Sequence, residues 1–262
     1  MLLLIIVGLT PTFRNGLVRV IHAIRGGKLP WWMTLGGVAG AFVVMSQGVS
    51  AGVLGVAVFS VAMVSGQTIG AIIIDQKGLW GSPIVRLTIW RALGALVVVG
   101  GVVLALDLDA AELARGALFL ALPLIAGVIA GFQQAVNGRV NDVAQSAMSA
   151  TLVNFAVGGV ALIVAFLISL PFIELPESLP TQWWLWIGGI SGIGLIYLQA
   201  KTVSIIGVLA LGVTIVSGQL IGSLAFDLFA PVAAVGVSAA TIIGTLVTLA
   251  GAIIVAVSRA PR

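Results

Sequence analysis

The sequence predicts an all-α fold: a polytopic bundle of membrane-spanning helices, built from two inverted five-helix repeats, the first truncated at its N-terminus. Three observations lead there: the composition, an internal repeat and the distribution of charge. Of 262 residues, 60% are hydrophobic and only 8% charged, with a mean hydropathy of +1.25. A soluble domain carries roughly 25% charged residues. A chain this apolar cannot cover itself with a hydrated surface, so the lipid bilayer is its solvent. Its apolar runs are close to the ~20 residues a spanning helix needs and lack the polar alternation of barrel strands. The 34 glycines suit helices that pack backbone to backbone.

The repeat is direct. Trp31 to Asp75 aligns without a gap on Trp183 to Asp227, 152 residues later, with 16 of 45 positions identical. Trp31-Trp32 matches Trp183-Trp184, Gly36, Gly37 and Gly40 match Gly188, Gly189 and Gly192, and Gln47 and Gly55 match Gln199 and Gly207. The block Ser65–Asp75 matches Ser217–Asp227. Chance similarity between apolar segments would pair Leu with Val; here the identities include Gly, Gln, Trp and Asp, so the chain is a duplication.

Taken in order, the apolar spans run roughly 32–50, 53–74, 83–106, 117–138, 145–170, 183–200, 203–226 and 232–257, with Met1 to about Leu9 too short to cross alone. Short connections rich in Gly and Pro separate several of them, as at Gly26-Gly27, Pro171 and Leu175–Pro180. Residues 1–108 form the first repeat, with three full helices plus a stub, and 117–258 the second, with five; about nine of ten segments are present. The first repeat is expected to lack one helix and most of another. The partner surface of the 117–140 helix then stands open to lipid or to another subunit, so a homodimer is one expected assembly.

Alternating the sides places eleven of the twelve basic residues, among them Arg14, Arg25, Lys77, Arg91, Lys201 and Arg259, on one face. The other face receives only Arg115, with Asp107, Asp109, Glu112, Glu174, Glu177 and Asp227. Positive residues stay on the cytoplasmic face, so the C-terminus is predicted to be cytoplasmic. Asp75 then ends its helix inside and Asp227 outside, which makes the repeats inverted. Gly94 and Gly101 also match Gly244 and Gly251 when two residues are skipped.

Several chemistries are excluded. There is no cysteine, and His22 is the single histidine, so thiolate or histidine-cluster metal sites and cysteine nucleophiles are ruled out. No metal, no cofactor and no enzymatic motif such as G-x-S-x-G or a P-loop is read. The net charge of +4 comes from scattered helix-end residues without interleaved aromatics, so no nucleic-acid partner is expected. Polar side chains inside the spans are costly in hydrocarbon and tend to face the bundle interior. Six of them are candidates for a small-solute cavity: Gln67 and Gln219 at matched positions, Gln133, Gln134, Asn137 and Asn154. Each serves equally well as interhelical glue. Gln47 and Gln199 form a further matched pair. Asp75 and Asp227 read as solvated helix ends, Arg86 and Arg91 as residues that snorkel to the interface and need no functional role, and the tryptophans as interfacial belts.

The segments AGFQQAVNGRV (130–140), NFAVGG (154–159), WWLWIGGISG (183–192) and GVLALGVTIVSGQLIGSLAFD (207–227) resemble the drug/metabolite transporter superfamily, and within it the YdcZ-like branch of bacterial inner-membrane proteins. The resemblance covers essentially the whole chain. It implies an EamA-like, two-times-five-helix carrier in the bacterial inner membrane with both termini cytoplasmic, exporting a small organic solute or metabolite. The first repeat departs from the pattern in lacking its own Q-x-x-x-N-G-R helix. The expectation of a different class is a non-transporting accessory protein or an inactive remnant.

Overall fold

Gly55 divides the first long apolar stretch in two. Its φ of 82° belongs to a region glycine enters without steric cost, and in the computed structural model one helix ends before it and another begins after it. Residues 11–79, 84, 86–106, 110–173, 181–182, 188–230 and 237–258 are described, with the side chains of 12, 106–118, 196–197 and 199–213 outside that description. The belt tryptophans Trp183, Trp184 and Trp186, the Gln199 and Lys201 side chains, and all the charges predicted to face outward except Asp227 therefore lie outside the described residues.

Among the described residues the chain forms eight α-helices and two short 3-10 turns. They are α1 Pro11–Arg25, α2 Gly36–Leu54 entered through a 3-10 turn at Trp31–Leu35, α3 Val56–Lys77 and α4 Ile89–Leu106. Then come α5 Ala110–Ala144, α6 Ala147–Ser169 with a 3-10 turn at Leu170–Phe172, α7 Gly188–Phe229 and α8 Ala239–Val257. Five stretches are long and apolar enough to cross a membrane: Trp31–Leu54, Val56–Lys77, Phe119–Ala144, Ala147–Phe172 and Ala239–Val257. The fold is thus an all-α polytopic bundle. Serines start two of the helices: Ser146 Oγ accepts from Ser149 N at 3.2 Å and Ser238 Oγ from Thr241 N at 3.1 Å, each satisfying one of the four free N–H groups of a helix start.

Two elements differ from the sequence expectation. The basic stretch around His22, which falls between the short Met1–Leu9 run and the predicted span at 32–50, is the helix α1. Gly16, Val20 and Ala23 form a buried stripe on it at helical spacing, while Arg14 and Arg25 are exposed; an amphipathic helix shorter than a membrane span leaves no hydropathy signal. The backbone is also helical without interruption from Gly188 to Phe229, across Lys201, where a connection is predicted. Ala200-Lys201-Thr202 contains neither glycine nor proline, and one lysine does not end a helix.

The chain divides into two compact units, Met1–Ala41 with Val136–Gly207, and Phe42–Ala135 with Val208–Arg262. In the first unit, α1 lies on α6 where Gly16 meets Ser149, and Arg19 Nη1 donates to the Ala144 carbonyl at 3.2 Å. Gly37 packs against the backbone of Asn154 and Gly158 in the same unit.

The second unit is organised by glycine contacts. Gly94 packs against Gly251, and Gly101 against Gly244, so α4 and α8 run antiparallel with backbones in contact. These are the glycines the repeat alignment matches. Gly66 packs against Leu124 and Gly127, Gly70 against Val128, and Gly131 against Ala71 and Ile74. Both positions increase together, so α3 and this part of α5 are parallel. Small residues allow this approach where lipid provides no hydrophobic drive between helices. Gly218 and Gly222, the counterparts of Gly66 and Gly70, meet nothing within 4 Å among the described residues. Val61, Val64, Val98, Val102, Leu220 and Ala252 form the core of this unit, and Ser65 Oγ bridges α3 to α4 by donating to Val61 O at 2.9 Å and Val98 O at 3.4 Å.

Candidate solute-binding site

Within the second unit, residues of α3, α4, α5, α7 and α8 line an open-mouthed cavity of about 210 Å³. Val64, Ala71, Val216, Ala252 and Val255 supply apolar wall; Gln67, Thr68, Gln134 and Ser217 supply neutral polar groups; Asp75 and Arg91 supply opposite charges. Gln67 and Thr68 face it because both lie about two helical turns before Asp75 on α3, on the side turned to α5 and α8. Thr68 Oγ1 already donates to Val64 O at 2.8 Å. Gln134 comes from α5, three residues after Gly131, whose contact with α3 sets the register.

Arg91 sits in the first turn of α4 and Asp75 in the last turns of α3. Arg91 Nη2 donates to Asp75 Oδ2 at 2.8 Å, with side-chain exposures of 2% and 16%. The readings of Arg91 as a snorkelling residue and of Asp75 as a solvated helix end are both corrected here: antiparallel α3 and α4 bring them together, with Arg91 buried and Asp75 half-buried. Arg86, three residues before α4, is exposed as expected. Arg91 Nε and Nη1 are buried and find no acceptor among the described residues. Leaving a buried donor unmatched costs about 1–3 kcal/mol, more when it is charged. In the sequence the pair is masked, because Lys77 and Arg86 lie between its members and opposite charges there single out no partner.

Asp227 is corrected in the same way. It is 8% exposed, and its Oδ2 accepts from Ala57 N at 2.6 Å, capping the start of α3 from another helix. Gly55, the residue at the N-cap, has no side chain to do so, and a carboxylate also complements the positive pole of a helix N-terminus. Ala57 and Asp75 are 18 residues apart on α3, about 27 Å at 1.5 Å per residue. The matched aspartates thus secure opposite ends of one spanning helix.

The structure separates the six candidate residues. Gln67 and Gln134 line the cavity. Asn137 and Asn154 belong to the first unit, where Asn137 Nδ2 donates to Asn154 Oδ1 at 3.1 Å. Gln219 is half-buried and is not among the residues lining the cavity, to which α7 contributes Ile215, Val216 and Ser217. Gln133 is half-buried on α5 with a partner of its own. No group of metal-ligating side chains occurs among the described residues.

Residues 1–104 and 118–254 match the family described as "Putative inner membrane exporter, YdcZ". The chain belongs to this family. It is accordingly a multi-pass inner-membrane protein of an exporter family, which is a transporter class and not an enzyme class. No curated protein and no solved structure matches it. Within this exporter family the cavity, with amides, hydroxyls and an ion pair on an apolar wall, has the mixed lining of a small-solute pocket.

Proposed function

We propose that this family member is a secondary carrier that exports a small organic solute, and that the cavity in the second unit holds the solute during transfer. The observation that carries the reading is the cavity itself, in which an apolar wall is combined with Gln67, Gln134 and the Arg91–Asp75 pair. A cavity of about 150 Å³ accepts benzene, so about 210 Å³ suits a solute of somewhat more than benzene's size. The duplicated sequence supports alternating access, because inverted repeats let one scaffold open to either side. The antiparallel contact of matched glycines between α4 and α8 is the packing such a relationship produces.

The orientation proposed has the C-terminus in the cytoplasm, on the strength of the basic residues. A cysteine at Ser258, in this cysteine-free chain, should react with an impermeant thiol reagent in inside-out vesicles and be protected in intact cells. The opposite pattern would overturn the orientation.

The transport reading is tested by what cells release. Cells expressing the chain should enrich the medium in at least one small solute relative to cells without it, as read by mass spectrometry. Gln67→Leu or Gln134→Leu should abolish most of that excess at equal membrane abundance and thermal stability. If the amides serve only to hold helices together, stability falls and release per folded molecule is unchanged. No solute difference between cells with and without the protein would refute export.

A further inference from the structure

We propose that the cavity of the second unit recognises a carboxylate, with Arg91 receiving the anionic group of a small organic acid whose apolar part lies against Val64, Val216 and Val255. The proposal rests on the reading of this cavity as the solute site and names the class of solute.

Four observations converge on an anion. Arg91 lines the cavity and is 2% exposed, yet only Nη2 has an acceptor, at Asp75; Nε and Nη1 have none among the described residues. A guanidinium pairs with carboxylates along two edges, Nε with Nη2 and Nη1 with Nη2, and Nη2 carries one hydrogen on each. Asp75, bound through Nη2 alone, therefore leaves one bidentate edge whole. Secondly, Arg91 lies in the first turn of α4, where the helix pole is already positive. A cation there is unfavourable without a negative partner, and helix pole and guanidinium favour the same sign of ligand.

Thirdly, the scaffold does not require this charge. By the spacing that matches Gly94 with Gly244, Arg91 corresponds to Thr241 in the second repeat. Thr241 stabilises the same helix pair with a neutral hydrogen bond, Oγ1 to Ala105 O at 3.2 Å. Fourthly, the rest of the lining fits an acid with an apolar body. Gln67 and Gln134 offer amide donors beside aliphatic wall, and among the described residues Asp75 is the one carboxylate lining the cavity.

The test uses the full chain in phosphatidylcholine nanodiscs and three planar ligands of nearly equal shape: benzoate, benzamide and benzamidine, carrying negative, zero and positive charge. Calorimetric titration should show benzoate binding at least tenfold more tightly than either of the others. Phenylphosphonate separates carboxylate from phosphate recognition and should bind more weakly than benzoate. Arg91→Lys keeps the charge but loses the planar fork, and should weaken benzoate at least tenfold. Asp75→Asn keeps an acceptor for Nη2 but removes the competing negative charge, and should tighten benzoate at least threefold, a gain that a purely structural Arg91 would not produce. Benzamide or benzamidine binding as well as benzoate, with loss on Gln67→Leu, would overturn the carboxylate assignment and leave the cavity as the solute site. Preference for phenylphosphonate, absence of benzoate binding, or benzoate affinity unmoved in both variants would overturn the proposal as well.

Discussion

Gly66→Ala should cripple the protein, whereas Gly218→Ala at the matching position of the second repeat should leave it intact or slightly more stable. A methyl group on Gly66 would run into the Leu124 carbonyl and stand 3.0 Å from Gly127 Cα. These are backbone atoms of a spanning helix, so they cannot give way by a change of rotamer. Overpacking of a side-chain core costs about 1–3 kcal/mol, occasionally more, and a rigid backbone contact belongs at the upper end. At Gly218 the same methyl group meets nothing within 4 Å among the described residues, and replacing glycine inside a helix gains about 0.5–1 kcal/mol. Thermal unfolding of the two purified variants beside the parent decides the matter. Equal losses at both positions would mean that the repeats pack alike, and no loss at Gly66 would mean that α3 and α5 are not in backbone contact.

The second large effect is expected at Asp75. Asp75→Ala leaves Arg91 buried, with none of its three side-chain nitrogens matched among the described residues. Breaking a buried pair from one side costs about 3–5 kcal/mol, because the remaining charge stays uncompensated. In a chain of this size that lowers the unfolding midpoint by on the order of 10 °C. The double variant Asp75→Ala/Arg91→Met removes both charges while keeping a long apolar side chain, and should recover most of the loss. If the single and double variants lose equally, the pair is not what stabilises this end of α3 and α4.

The helices and their membrane setting were legible in the sequence because they depend on local composition. The α4–α8 contact was nearly legible as well: Gly94, Gly101, Gly244 and Gly251 could be matched by spacing, and they do meet. The amphipathic α1 was not, since its buried stripe of Gly16, Val20 and Ala23 is too short and too polar in company to register as a span. Nor was the continuity of α7, where a lysine was given the weight of a turn. For the cavity, Gln67 and Gln134 could be picked out as polar residues within apolar spans. Arg91 and Asp75 could not be, because each stands at a helix end where a charge normally reaches water. Only the approach of α3 and α4, a tertiary fact, turns two ordinary interfacial charges into an ion pair with its arginine buried. Asn137 and Asn154 carried the same sequence signal as Gln67, yet they satisfy each other in the first unit. A polar residue in a span announces that it needs a partner without saying whether the partner is protein or solute.

The cavity as a transport site is tested most directly by its access to water. Ala71 lines it and is half-buried, and cysteine is little larger than alanine. In the cysteine-free background, Ala71→Cys should react with a small membrane-impermeant thiol reagent both in right-side-out and in inside-out vesicles, because a carrier exposes its solute site to each face in turn. Reaction from one face alone under every condition tried, or from neither, would contradict alternating access through this cavity.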